Sequence, residues 1–284
     1  MFLINLRQDG VKGNTFSRFE QISYLDEDMK LHSMTDDDLM QQVAQKNILV
    51  LIHGFNNTTH HIQSVFKKIE QQYRIFFNSE YDAIIGYVWP GGESEFNYFK
   101  SKRNARRAGR QLRHWINRFS KAKCTIDVIG HSMATIVGYH ALKTNKKMRI
   151  RNVFSFGAAV SQNIFLKEST EQIIQKMDSL YLFHTENDDI LKYWFRLVEW
   201  QDAVGYSGLQ NQTEVVSHLE KLTIVDCSEV ISNHTEYWNS RVVFEFIGKT
   251  LSGKQYPRKY KLLPGFHTVF DKVFGDSKKR LSTA

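Results

Sequence analysis

Short unbroken apolar stretches recur through the middle of the chain, at Ile48–Ile52, Ala83–Val88, Thr125–Ile129, Val153–Phe156, Leu180–Phe183 and Leu222–Val225. Each is too short for a helix and rich in β-branched or aromatic residues, so each is expected to be a strand buried on both faces. Between the first two, Ile62, Val65, Phe66, Ile69, Tyr73 and Phe76 recur at the spacing of a helix with one apolar stripe. Ala105, Ala108, Leu112, Trp115, Ile116 and Phe119 repeat that period between the second and third. Strand and helix alternating in this way predict right-handed crossovers and a mainly parallel sheet, an α/β fold flanked by helices.

The first 35 residues differ. Phe2–Leu6 and Phe16–Tyr24 flank a turn-rich segment containing Gly10 and Gly13, and are expected to pair as an antiparallel hairpin at one sheet edge. Thr35 precedes Asp36, Asp37 and Asp38, an N-cap followed by acids where the helix dipole favours negative charge. A short helix within Met34–Gln45 therefore leads into the Ile48 strand. After Gly253 the composition turns basic, with Lys254, Arg258, Lys259, Lys261, Lys278, Lys279 and Arg280, and two of the three prolines lie nearby. The expected organisation is one α/β domain over residues 1–252 and a peripheral basic tail over residues 253–284.

Composition narrows the function class. With 284 residues, 42% apolar and 13% aromatic, the chain has the means to fill a core, which excludes a disordered protein. No run of about 18 apolar residues occurs, and Met1–Gly10 holds no apolar signal core. Neither a membrane span nor an ordinary secretion signal is expected. Cys124 and Cys227 lie too far apart for a disulfide framework or a metal-ligand spacing, so a reduced cytoplasmic location and no metal are expected. The 38 Lys+Arg against 30 Asp+Glu leave a net charge of +8. Its densest part is Lys100, Lys102, Arg103, Arg106, Arg107, Arg110, Arg113 and Arg118, mostly opposite the Ala105–Phe119 stripe. A solvated helix face accounts for this. A surface for anionic phospholipid is the sharper alternative, and nucleic acid ranks last because no recognition motif accompanies the charge. Nothing in the chain indicates an oligomeric state.

The chemistry concentrates where Thr125–Ile129 runs into Gly130-His131-Ser132-Met133-Ala134 and then into a helical pattern through Ile136, Val137 and Leu142. A strand, a sharp Gly-x-Ser-x-Ala turn and a helix lift the Ser132 hydroxyl to the carboxyl end of the sheet and aim the Met133 amide at whatever oxygen sits above it. Upstream, Ile48–Ile52 ends in His53-Gly54-Phe55-Asn56-Asn57. A His-Gly pair at that position lets the backbone pass close beneath the serine, with the Phe55 amide as the second donor of an oxyanion hole. The plainer reading is a turn into the next helix, capped by Asn57 or Thr58.

A serine hydroxyl needs a base, and the base needs a carboxylate to fix its tautomer. Leu180–Phe183 is followed by His184-Thr185-Glu186-Asn187-Asp188-Asp189, and Leu222–Val225 by Asp226-Cys227-Ser228 and then Asn233-His234-Thr235. Ser132, Asp188 and His234 stand in the order nucleophile, acid, base. Asp189 is the fallback acid, while Asp226 has the alternative of closing a turn. His184 and His218 compete with His234, and only His234 sits after the final strand and ahead of a helix. His131 is expected to pack without moving a proton. Lys192-Tyr193-Trp194-Phe195-Arg196-Leu197-Val198-Glu199-Trp200 is either core or the wall of an acyl pocket.

Leu51-Ile52-His53-Gly54-Phe55-Asn56, Val88-Trp89-Pro90, Gly130-His131-Ser132-Met133, Asn187-Asp188 and Asn233-His234-Thr235-Glu236-Tyr237 together resemble the α/β-hydrolase superfamily. Within it, the chain is similar to the bacterial group DUF900, over roughly residues 45 to 250. The resemblance implies an eight-stranded, mostly parallel sheet and a Ser-Asp-His triad without a cofactor. It also implies action mainly on ester, thioester and sometimes amide bonds, and the substrate expected for this chain is a small-molecule or lipid-like ester. One position departs from the pattern. The glycine that usually closes the elbow is Ala134, whose extra methyl predicts a slightly displaced helix. Ala134 is also the one feature that favours a non-catalytic module resting on anionic membrane or protein through its basic helix.

Overall fold

The computed structural model describes residues 1–8, 13–76, 80–143, 148–209 and 219–264. Their strands are β1 (Phe2–Arg7), β2 (Phe16–Leu25), β3 (Leu31–Met34), β4 (Asn47–Ile52), β5 (Ala83–Val88), β6 (Thr125–His131), β7 (Ile150–Phe156), β8 (Met177–His184), β9 (Leu222–Asp226) and β10 (Lys259–Lys261). They form one sheet in the order β10-β9-β8-β7-β6-β4-β5-β1-β2-β3. From β10 to β1 every pairing is parallel, and β2 and β3 add antiparallel strands at the β1 side. The N-terminal hairpin of the sequence is therefore β1–β2, in the register Phe2↔Tyr24 to Asn5↔Gln21. The count is ten among the described residues, against the eight that the resemblance implied. The strands left unread, β3 and β10, are three or four residues long and largely exposed, so they carry no apolar run.

β4 explains why unbroken apolar runs mark this fold. Alternate side chains leave opposite faces of a strand. Ile48, Val50 and Ile52 pack on one side with Leu112, Trp115 and Ile116 of α3 (Tyr98–Lys121), while Leu49 and Leu51 pack on the other with Ile62, Phe66 and Ile69 of α2 (Thr59–Phe76). Each such side chain contributes roughly 1.5–3 kcal/mol by leaving water. α1 (Asp36–Val43) begins at Thr35, whose hydroxyl accepts from the Asp38 amide while the Asp38 carboxylate accepts from the Thr35 amide. α4 (Ala134–Leu142) follows the serine turn, and no helix among the described residues is long and apolar enough to cross a membrane. Beyond Gly253, Lys259–Lys261 pairs with β9, so part of the segment read as a tail extends the sheet. Residues 265–284, including Lys278, Lys279 and Arg280, lie outside the described residues, as does His218.

The strand order fixes where a site belongs. From β4 the chain crosses to β5 on one side, then to β6 on the other. Helical crossovers leave a crevice between β4 and β6, at the carboxyl ends of the strands, where open parallel sheets bind ligands. His53-Gly54 follows β4 and Ser132 follows β6, so both open onto that crevice.

Candidate active site

Ser132 has a left-handed backbone, φ +58°. A non-glycine residue adopts that conformation only where its surroundings over-determine it. Here its amide donates to Phe156 O (2.8 Å), and its carbonyl accepts from the Ala159 amide (3.2 Å) and from the Thr135 amide (3.2 Å) and hydroxyl (3.0 Å). A Cβ at Gly130 would lie 3.2 Å from the Ala134 Cβ, so the missing side chain at Gly130 makes room for the extra methyl of the elbow. A Cβ at Gly54 would lie 3.1 Å from the Ser132 Cβ, so the turn after β4 passes directly against the serine.

That turn is held by buried polar groups. His53 donates from Nδ1 to Gly54 O (2.7 Å) and accepts at Nε2 from the Trp89 amide (3.0 Å). This pattern suits only neutral imidazole, and burial, with Arg7 adding repulsion, pushes His53 well below the usual histidine range. Arg7 donates to Trp89 O (2.9 Å) and Asn57 O (2.8 Å), and burial lowers its guanidinium to about 10. Thr58 Oγ1 accepts from the His61 amide (3.2 Å), which makes Thr58 the cap of α2. Among the described residues, no acceptor takes the amide hydrogens of Phe55 or Met133.

At the later strand ends, His234 Nδ1 donates to Asp188 Oδ2 at 2.5 Å, and both residues are buried. Asp188 Oδ1 accepts from the Leu191 amide (2.9 Å), which orients the carboxylate from its other side. With Nδ1 committed to Asp188, the neutral imidazole keeps Nε2 as its acceptor. Thr185 and Asn187 bond Ile231 O, and Asn187 also bonds Ser228 O, so the loop of the acid and the loop of the histidine are tied together. Asp189 is exposed, and Asp226 accepts from the Ser228 amide and hydroxyl, closing a turn. His184 is buried at the end of β8, where burial lowers its imidazole.

Ser132, Met133, Phe55 and His234 line one cleft of about 680 Å³, within the usual range for small-molecule sites. Its walls include Ile62, Val65, Tyr98, Trp194, Phe195 and Trp238. Trp194 stacks on Phe55 (5.9 Å between centroids) and meets Tyr98 edge-on (4.7 Å), so the aromatic segment after the acid does form part of a wall. No hydrogen bond joins the Ser132 hydroxyl to His234 among the described residues. Such bonds are commonly loose before substrate binds. One cleft thus holds a hydroxyl, an imidazole oriented by a carboxylate and two residues whose amides have no acceptor among the described residues.

Two contributors were not legible as such. His131 donates from Nε2 to His234 O (2.8 Å), its ring 4.5 Å from that imidazole, so it holds the backbone of the candidate base as well as packing. Burial, followed by the neighbouring His234, drives His131 well below the usual range. Gly157, at φ +51°, lies where a Cβ would sit 3.4 Å from His234 Cε1 and Nδ1. The small-residue run Gly157-Ala158-Ala159 at the end of β7 was the available signal.

Residues 30–249 match the family model described as "Alpha/beta hydrolase of unknown function (DUF900)". No curated protein matches the chain. Among solved structures, TT1662 from Thermus thermophilus is similar at 12% identity and TM-score 0.44, covering 82% of this chain and 92% of that one. Phospholipase PlaB from Legionella pneumophila, in complex with thio-NAD, is similar at 15% identity and TM-score 0.33, covering 64% of this chain and 38% of that one. The Pyrococcus furiosus esterase Pf2001 is similar at 15% identity and TM-score 0.31, covering 92% and 89%.

Proposed function

The chain belongs to the alpha/beta hydrolases of the DUF900 family, and from that premise we propose that it is a serine hydrolase of carboxylic esters. The observation that carries the reading is the buried 2.5 Å His234–Asp188 pair, opening onto the same cleft as a serine held in left-handed conformation. In the proposed reaction Ser132 Oγ attacks the ester carbonyl carbon as His234 Nε2 takes its proton. Asp188 holds the resulting imidazolium, and the Phe55 and Met133 amides bind the oxyanion. Collapse of the tetrahedral species returns the proton to the leaving alcohol and leaves an acyl-serine. Water, deprotonated by the same imidazole, attacks that ester and releases the acid with Ser132 regenerated.

The apolar and aromatic walls around Trp194, Phe195 and Trp238 favour an acyl or aromatic substituent over a small polar one. The test is labelling by a fluorophosphonate, paired with an acyl-chain series of esters, thioesters and amides on the unaltered chain and on Ser132→Ala. Labelling and ester turnover that both vanish in Ser132→Ala are expected. Labelling that survives the substitution removes Ser132 from the reaction, and preferential turnover of thioesters or amides reassigns the bond.

A further inference from the structure

The two segments that supply Tyr98 and Trp194 to the cleft wall also carry large apolar side chains that the fold leaves in water. Phe96 is 100% exposed in the turn just before α3 and Phe99 65% in its first turn, and Leu197 is 69% and Trp200 86% exposed on the segment after the acid. Ile190 (50%) and Tyr193 (62%) are exposed earlier on that same segment, and Ile190 also lines the cleft. The two segments form one rim because their other faces are clamped. Tyr98 packs on Trp194, its hydroxyl donates to Glu199 Oε1 (2.8 Å), and Lys102 Nζ donates to both Glu199 oxygens (2.5 and 2.7 Å). Inward neighbours Tyr98, Leu191, Trp194 and Phe195 line the cleft, while the outward residues of the same turns face solvent. Several large exposed apolar side chains carried on two segments clamped to each other point to an interaction site.

Charge identifies the occupant. Several cations of the basic helix are already engaged: Lys100 on Asn14 Oδ1 (3.1 Å), Lys102 on Glu199, Arg113 on the His140 and Ala141 carbonyls, Arg118 on Asp36, and Arg107 over the Phe16 ring. Arg103, Arg106 and Arg110 have no carboxylate partner among the described residues, and with Phe99 they share one exposed helix face at i, i+4, i+7, i+11. Lys100 adjoins Phe99, and Lys192 lies over the Tyr193 and Tyr206 rings. Glu95 and Asp189 are exposed carboxylates near these segments, Glu93 is exposed and paired with Arg7, and Asp202 is paired with Arg196. The excess along this face is positive. Nearby, burial together with Arg106, Lys143, Arg110 and Arg113 pushes His140 down to about 4.

We propose that this rim seats on an anionic phospholipid surface, with Phe96, Phe99, Leu197 and Trp200 entering the boundary between headgroups and acyl chains. Arg103, Arg106 and Arg110 then face lipid phosphates. Apolar and aromatic anchors beside unpaired cations are the two signals that stable peripheral binding combines. The inference places the contact on the two segments that wall the cleft, where a docked molecule would draw a lipid into the cleft without crossing bulk water. Docking itself does not depend on turnover.

The experiment is co-sedimentation of the full chain carrying Ser132→Ala with phosphatidylcholine vesicles, with and without phosphatidylglycerol, alongside turnover of a soluble short-chain ester by the Ser132 forms. Binding to the anionic vesicles, weakened by salt, is expected, with a blue shift of tryptophan emission that Trp200→Ser removes. Phe96→Ser with Trp200→Ser is expected to weaken binding at least about 10-fold, and Arg103→Glu with Arg106→Glu about 10- to 30-fold. Unchanged short-chain turnover and unchanged unfolding midpoints show that these variants fold. Equal sedimentation with neutral and anionic vesicles, or full binding by Phe96→Ser/Trp200→Ser, overturns the proposal. So does a rim that instead joins two copies of the chain, seen as a dimer that the double serine variant dissolves. Vesicle binding without any ester turnover leaves the docking surface standing and removes the hydrolase reading; turnover without vesicle binding does the reverse.

Discussion

Strand β6 begins and ends in polar chemistry, and the two ends are built by opposite rules. Where the strand enters the sheet, Asp127 is fully buried and accepts from Tyr81 Oη (2.6 Å), Arg151 Nη2 (2.6 Å) and Nε (3.1 Å), the Asn152 amide (2.7 Å) and Asn152 Nδ2 (3.2 Å). Where it leaves, Ser132 holds a backbone conformation that costs of order 1–3 kcal/mol, beside two amides without an acceptor among the described residues. One end satisfies every group and stays shut. The other keeps donors and a hydroxyl in reserve, and its strain is balanced by neighbours in β7 and α4. A saturated network secures the fold, whereas an unsaturated one can act on a ligand.

Four experiments test how far that contrast holds. The largest expected effect is at the leaving end, where Ser132→Ala should lower ester turnover by roughly 10⁴–10⁶-fold with little change in the urea midpoint. A large loss of stability in that variant would mean that the serine serves the fold. At the entering end, Asp127→Ala should cost about 3–5 kcal/mol in urea unfolding, because it strands Arg151 and Tyr81. Its remaining folded fraction should turn over normally, and a fall in kcat at saturating substrate would couple the two ends.

Acid is the third probe. His53 and His131 are buried and neutral in the fold, their pKa values lowered chiefly by burial. The unfolded chain binds their protons first, so stability is fully present above about 6.5 and falls as pH drops from there toward the lowered folded values. The slope approaches about 1.4 kcal/mol per pH unit for each histidine. Urea midpoints at pH 7.5, 6 and 5 follow it, and His131→Gln should flatten the curve. A pH-independent midpoint would show that these imidazoles are charged or exposed. The smallest effect is expected in α4, where a Cβ at Gly138 meets nothing within 4 Å. Gly138→Ala should raise stability by about 0.5–1 kcal/mol with no change in turnover, measured by thermal unfolding.

The same two ends divide what the sequence discloses. The apolar runs 48–52, 83–88 and 222–225 mark β4, β5 and β9 almost to the residue because both faces of those strands are buried. β7 starts three residues earlier than its run, at Ile150, because Arg151 and Asn152 are polar and find their partner in Asp127, 24 and 25 residues back. Periodicity carries no trace of such a pairing. That Asp188 and His234 meet, in a cleft that Ser132 also lines, was legible because each of the three follows a readable strand, and strand ends converge in this topology. His131 was read only as packing, since its bond to the His234 carbonyl spans 103 residues of chain. The exposure of Phe96, Leu197 and Trp200 was not legible for a related reason: they are apolar, and a linear reading assigns such residues to the core or to a pocket wall by default.

β1 pairs with β2 on one side and, in parallel, with β5 on the other, Phe2 opposite Ile85. During synthesis the meander of β1, β2 and β3 is complete some fifty residues before its partner strand exists. At about 5–20 residues per second that interval lasts roughly 2–10 s. Throughout it, one side of β1 offers an unsatisfied ladder edge to any extended chain nearby. Nascent chains halted before Ala83 should therefore be more readily captured by a holdase, and more readily cut by protease, than chains halted after the ribosome has cleared Val88. The arrangement that seats β1 inside the finished sheet thus leaves one edge of the meander waiting for a strand made later.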